Sequence, residues 1–249
     1  MTYKRFKRLS IPSPLLGERV RVRGDAAPVL PSRPLTPKGG EGVFRYLLFA
    51  LIAVAFASVQ ASAAPVKILA LGTSLTQGYG LPPGTEIPAV LQTELKKKGI
   101  DATVINAGVS GDTSAGGLSR LDWSLADHPN AAIVELGSND ALRGIDPRST
   151  ERNLSAILAQ LTVKHIPVLL LGMRAPKNYG PEYEARFNAI YPKLARQYNV
   201  LLYPFVLDGV ALNPKLNQKD GIHPNPQGVK IIIGKLMPDV LKLVAEAKH

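Results

Sequence analysis

A serine hydroxyl becomes a nucleophile when a base takes its proton, an acid orients that base, and N–H donors receive the oxyanion that forms. Four histidines are available as the base, and His223 differs from the others. It stands in Asp220-Gly221-Ile222-His223-Pro224, a stretch poor in apolar side chains, with a carboxylate three positions before it. In a turn or one helical cycle, that spacing lets the carboxylate reach the imidazole Nδ1 and leaves Nε2 to act as base. Taken alone, D-x-x-H equally describes a helix-capping aspartate beside a surface histidine. His128 and His165 lie near predicted helix ends close to proline, where a structural role is expected, and His249 is the last residue.

Three further motifs bear on the question. Gly72-Thr73-Ser74-Leu75-Thr76 places a serine at a glycine-bearing strand end, which by itself also fits a helix N-cap. Ser110-Gly111-Asp112 and Gly137-Ser138-Asn139-Asp140 place glycines and an amide where two other predicted strands end, and each fits ordinary turn chemistry. Together they put a nucleophile, a backbone N–H and a side-chain amide at one sheet edge, the inventory that acyl transfer requires.

In this order the set resembles the SGNH (GDSL-like) hydrolases, especially their bacterial thioesterase, lysophospholipase and arylesterase branch. The likeness extends through Val109-Ser110-Gly111-Asp112-Thr113-Ser114, Val134-Glu135-Leu136-Gly137, Leu142-Arg143-Gly144 and Asn178-Tyr179-Gly180. It continues through Ala189-Ile190-Tyr191-Pro192-Lys193-Leu194 and Asp220-Gly221-Ile222-His223-Pro224-Asn225. The resemblance implies a three-layer α/β/α sandwich of flavodoxin-like type and hydrolysis of carboxylic esters or thioesters. It assigns Ser74 as nucleophile, Asp220 and His223 as the rest of the triad, and an oxyanion hole made by the N–H groups of Ser74 and Gly111 with the side chain of Asn139. Leu142 and Ile145 fall in a segment similar to the mobile loop that contacts acyl chains in that branch; the same letters also suit an ordinary surface loop. The family usually has aspartate just before the nucleophile, where this chain has Thr73. Threonine keeps a local hydrogen bond but not the charge, which bears on loop rigidity or rate and removes no required catalytic group.

These residues need elements to position them. From Val66 onward, short apolar runs alternate with longer amphipathic stretches, which predicts a mostly parallel five-stranded sheet with crossover helices on both faces. The expected strands are 66–71, 102–106, 131–136, 167–171 and 200–202. The expected helices are 87–98, 114–126, 150–164, 181–198 and 227–247. In such sheets ligands bind outside the carboxyl ends of the strands, and the candidate residues follow the first three strands directly.

The charge of +11 is uneven: residues 1–63 carry ten Lys/Arg and three Asp/Glu, whereas residues 64–249 carry twenty and sixteen. The folded part is therefore only mildly basic and lacks the basic stripe with interleaved aromatics of a nucleic-acid binder. Lys96-Lys97-Lys98, beside Gly99, reads as a helix C-terminus meeting its dipole. The chain contains no cysteine, which excludes disulfides, thiolate metal sites, lipoprotein anchoring and cysteine nucleophiles. Neither G-x-S-x-G nor H-E-x-x-H occurs, so an α/β-hydrolase elbow and a zincin site are unsupported. The expectation is an enzyme needing no metal or organic cofactor, a monomer acting on a small acyl or aryl ester, lysophospholipid or acyl thioester, with no nucleic acid and at most transient lipid contact.

Residues 43–63 read as a secretory signal peptide: Arg45, an apolar core to Val59, then the small-residue site before Ala64. A retained anchor competes, although the run is shorter than the roughly 20 residues a span needs. Residues 1–42, rich in Pro, Gly and Arg, are expected to be disordered or a spurious extension, with Val43 as an alternative start. Export to the periplasm or medium follows, with residues 64–249 as one hydrolase domain. Three other readings remain open: a carbohydrate acetylesterase of the same superfamily, a catalytically silent lipid- or glycan-binding domain, and a membrane-anchored interaction protein.

Overall fold

Near-continuous apolar runs form the middle of the sheet, because a strand covered on both faces has no side for polar residues. The runs are β1 (Val66–Gly72), β3 (Ala131–Glu135) and β4 (Val168–Leu171), in which only Lys67 is exposed. The edges are β2 (Ala102–Gly108) and β5 (Leu201–Tyr203), both more exposed. The spatial order is β2-β1-β3-β4-β5 and every pairing is parallel. The computed structural model describes residues 65–248; the expected N-terminal extension (1–42), the expected signal peptide (43–63), Ala64 and His249 lie outside the described residues.

Among the described residues, ten further elements cover the sheet or start at its rim. Helix α1 (Ser74–Gln77) follows β1, and α2 (Ile87–Lys97) precedes β2. Between β2 and β3 come α3 (Ser114–Ser119) and α4 (Leu121–Ser124), and between β3 and β4 come α5 (Ser138–Leu142) and α6 (Pro147–Val163). A 3-10 turn (Lys177–Tyr179), α7 (Pro181–Asn188) and α8 (Ile190–Tyr198) lead to β5, and α9 (Pro226–Glu246) closes the chain. Helix α9 packs on α2, while α6 packs on α3, α7 and α8, which gives one helical layer on each face. Leu91, Leu95, Ile232, Leu236 and Val240 fill one interface, and Leu154, Ile157, Leu158, Phe187, Tyr191 and Leu194 fill the other, all essentially buried. Each such side chain contributes about 1.5–3 kcal/mol by leaving water.

Two expected helices are divided. The stretch 114–126 breaks at Arg120, whose guanidinium is held away from the helix by partners described below. The stretch 181–198 breaks at Ala189, because Pro192 has no N–H to give the carbonyl one turn earlier. The short helices α1 and α5 were not expected from the sequence; both begin immediately after strand ends. Lys96 and Lys97 do occupy the last turn of α2, where the helix dipole favours cations.

The register levels three strand ends. Gly72 of β1 lies opposite Gly108 of β2 on one side and Glu135 of β3 on the other. The three loops that carry Ser74, Gly111 and Asn139 therefore leave the sheet from one edge.

Candidate active site

Ser74 is the first helical residue of α1 and is largely buried, at 9% exposure. Its N–H has no carbonyl one turn earlier in the helix to bond. Its Oγ lies 2.8 Å from His223 Nε2, across 149 residues of chain. On the far side of the ring, His223 Nδ1 meets Asp220 Oδ2 at 2.7 Å. Asp220 Oδ1 accepts the backbone N–H groups of Ile222 at 2.9 Å and His223 at 3.0 Å. The His223 N–H, then its imidazole, and then the Ile222 N–H hold the Asp220 carboxyl down at about 2. One oxygen thus fixes the turn while the other fixes the imidazole tautomer that presents Nε2 as an acceptor.

That turn is closed on itself and tied to the nucleophile loop. Gln218 N–H donates to the His223 carbonyl at 2.8 Å, Gly221 N–H donates to Gln218, and Asn217 bridges to Pro224. The Gln218 side-chain amide donates to the Tyr79 carbonyl at 2.7 Å, five residues beyond Ser74. The Tyr79 ring lies 4.9 Å from the imidazole. Asn225 accepts from Gln227 and Gly228 and so caps α9, with Pro226 at its first position. The histidine loop therefore stands on the longest helix.

Gly111 sits in the loop after β2 at φ +82°, a left-handed conformation that glycine adopts without strain. Among the described residues its N–H donates to no protein acceptor. Asn139, in the first turn of α5, donates from Nδ2 to the Asp112 carbonyl at 2.8 Å, which leaves its second amide hydrogen free. Gly137, at φ +104°, makes the turn into α5, where a Cβ would meet the Tyr191 hydroxyl at 2.3 Å. A hydroxyl polarised by a carboxylate-oriented imidazole can attack an acyl carbonyl, and the N–H groups of Ser74 and Gly111 with the Asn139 amide, on loops that leave the same sheet edge, are donors of the kind that stabilise the resulting oxyanion.

A profile of the GDSL-like lipase/acylhydrolase family matches residues 70–231, which takes in all of these groups. The chain belongs to this family. It is 44% identical over 165 residues to a thioesterase 1/protease 1/lysophospholipase L1 of Escherichia coli (strain K12), covering 66% of this chain and 78% of that protein. It is 42% identical over 168 residues to an arylesterase of Vibrio mimicus, covering 67% and 84%. Among solved structures it resembles AlinE4, an SGNH-hydrolase family esterase, at 48% identity and a TM-score of 0.62, covering 73% of this chain and 98% of that one. The α/β sandwich expected from the sequence is the fold of this acylhydrolase.

Several residues that organise the acylhydrolase site were not singled out from its sequence. Arg120 donates from Nε to Asp112 Oδ2 at 2.7 Å, from Nη1 to the Ala107 carbonyl at 2.8 Å and from Nη2 to the Gly72 carbonyl at 2.9 Å. One guanidinium thereby ties the ends of β1 and β2 to the loop of Gly111. Asp140, buried beside Asn139, accepts Ser114 N–H at 2.7 Å, the Ser114 hydroxyl, and Thr150 Oγ1 at 3.1 Å. Its carboxylate joins α3, α5 and α6.

Leu142 is exposed at the end of α5, and Ile145 is half-buried three residues later. Their carbonyls accept the hydroxyls of Tyr179 and Tyr183, each at 2.9 Å, and Arg143 donates to the Gly111 carbonyl at 2.9 Å. Tyr79, Val109 and Ile222, on the loops that carry Ser74, Gly111 and His223, are exposed, as are Leu142 and Tyr179. His128 and His165, read as structural, have φ of 51° and 55°, follow helices α4 and α6 and are exposed.

Thr73, at the position where aspartate was the family expectation, is fully buried and faces the buried carboxyl of Glu135. Burial pushes that carboxyl above its ordinary range, while donors on Thr73 and Thr76 partly restrain the rise. The position has thus exchanged a charge for a hydrogen-bond donor.

Proposed function

We propose that this acylhydrolase cleaves carboxylic esters and thioesters through an acyl-enzyme on Ser74. The supporting observation is the continuous line from Asp220 through His223 to Ser74, with contacts of 2.7 and 2.8 Å. In the reaction, neutral His223 accepts the Ser74 proton from Oγ as that oxygen attacks the acyl carbon. The oxyanion is received by the N–H groups of Ser74 and Gly111 and the free amide hydrogen of Asn139. His223 then protonates the leaving alkoxide or thiolate, and water repeats the sequence to release the acid.

The substrate class is small acyl or aryl esters, lysophospholipids or acyl thioesters. The apolar loop residues Leu142 and Ile145 support acyl or aryl contact, and the relatives carrying such names support the same range. The enzyme works as a monomer, exported to the periplasm or medium by residues 43–63, a reading supported by their basic, apolar and small-residue order. The decisive experiment reacts the protein with a fluorophosphonate probe and assays p-nitrophenyl esters, acyl-CoA and lysophospholipid beside Ser74→Ala. Labelling and turnover should both vanish in the variant, whose stability should match the parent. An active Ser74→Ala enzyme would sink the assignment, and activity confined to acetylated sugars would point to the acetylesterase instead.

A further inference from the structure

Glu135 is a carboxyl with no cationic partner among the described residues, buried at the end of β3 at 1% exposure. Burying such a group is costly unless donors surround it. Its side-chain hydrogen-bond donors, among the described residues, all come from one turn. Oε2 accepts Thr73 N–H at 2.9 Å, Thr76 N–H at 3.3 Å and the Thr76 hydroxyl at 2.9 Å. The Thr73 hydroxyl lies 3.0 Å from Oε1 and 3.1 Å from Oε2. These four donors bracket Ser74 on both sides along the chain, and the Ser74 N–H is not among them.

We propose that Glu135 is the positioning residue of the nucleophile: by gathering the donors of Thr73 and Thr76 onto one carboxylate, it sets the direction of Ser74 Oγ toward His223 and leaves Ser74 N–H for the oxyanion. The inference rests on Ser74 being the nucleophile. Two further observations support it. The cradle has no spare room, since a Cβ on Gly72 would stand 2.0 Å from Thr76 Oγ1 and 2.8 Å from Glu135 Oε2. The Thr73 hydroxyl also lies 3.4 Å from Ser138 Oγ, next to Asn139, so the same turn touches the loop of the side-chain oxyanion donor. The carboxylate offers an acceptor to each of the four donors from either oxygen, whereas glutamine of the same shape puts an N–H₂ either at Oε1, facing the Thr73 hydroxyl, or at Oε2, facing the other three donors.

The test compares Glu135→Gln, Thr73→Val and Thr76→Val with the parent, each normalised to active sites by fluorophosphonate titration. Glu135→Gln should lower kcat per titrated site by roughly 100-fold, the scale of an ångström-level misplacement, with KM unchanged and the rate of probe labelling reduced in step. Each valine variant, lacking one donor, should show the same kcat-selective loss to a smaller degree. Full turnover per titrated site in Glu135→Gln, or a loss explained entirely by a smaller folded fraction, overturns the proposal. If Glu135→Gln does not fold, the valine variants decide alone: parental kcat in both overturns it. A parent that ignores the probe would instead overturn the assignment of Ser74, a separate failure.

Discussion

Asn139 donates its side-chain amide to the main-chain carbonyl of Asp112, 2.8 Å away, so two of the three proposed oxyanion donors are parts of one hydrogen-bonded unit. Gly111 precedes that carbonyl directly. Removing the amide therefore deletes one donor and releases the loop that carries another. Asn139→Ala should lower kcat by about 100- to 1,000-fold, the usual loss for an oxyanion donor, with the fold intact. Turnover of a short p-nitrophenyl ester, measured beside circular dichroism, checks this; a loss below tenfold would remove Asn139 from the hole.

Arg120 supports the same loop from beneath through three directed donors. Lysine keeps the charge but is a point donor that cannot span Gly72, Ala107 and Asp112 at once. Hydrogen bonds to charged groups contribute about 1.5–3 kcal/mol each, so Arg120→Lys should destabilise the protein by about 2 kcal/mol and lower kcat. Urea denaturation and ester turnover measure both, and an unchanged pair of values would show that the guanidinium is incidental.

Asp220 sets a pH dependence whose sign is fixed by its depressed carboxyl, about 2 in the fold against a usual 3.8. A depressed acid contributes stability that is fully present above the unfolded value and is lost as pH falls through the folded one. The part of the stability difference between the parent and Asp220→Asn that comes from this carboxyl should therefore be fully present at about pH 5, shrink below about pH 4 and be lost as the pH falls through about 2. Denaturation midpoints across that range report it. A difference undiminished between about pH 5 and about pH 2 would contradict the contacts of Asp220.

Tyr179 and Tyr183 hold the Leu142 and Ile145 carbonyls by their hydroxyls alone. Phenylalanine at both positions leaves the rings and removes the two bonds, each contributing about 0.5–1.5 kcal/mol. The double variant should alter KM and the preference among acyl chain lengths while leaving kcat on acetate esters near the parental value. A p-nitrophenyl ester series from acetate to dodecanoate reads this directly; an unchanged chain-length profile would argue that the loop does not contact the acyl group.

The spacing of Asp220 and His223 permits their meeting within one turn but equally describes a capping aspartate, so the pair was legible only through the company of the other motifs and the family resemblance they carry. The sheet was legible for a different reason: β1, β3 and β4 are covered on both sides, and their apolar runs are hard to read otherwise. Arg120 was not legible, since its partners are mainly carbonyls, which every residue possesses and no motif announces. Tyr183 escaped for the same reason, and Tyr179, though part of the Asn178-Tyr179-Gly180 likeness, gave no sign of its carbonyl partner. Glu135 reads as one acid ending an apolar strand, and only the register that sets it opposite Gly72 reveals its threonine partners. The breaks at Arg120 and Ala189 also hid within continuous amphipathic stretches, because a helix can restart on the same apolar face.

The 149 residues that separate the hydroxyl from its base have a consequence for the timing of activity. During synthesis, Ser74 emerges early, but the imidazole arrives only just before the final helix. That helix must seat before the loop it anchors can stand in place. A ribosome-bound fragment ending before residue 220 carries an alcohol with no more reactivity than any other serine. With the proposed triad, hydrolytic power waits until the loop of Asp220 and His223 and the helix that carries it have both been made.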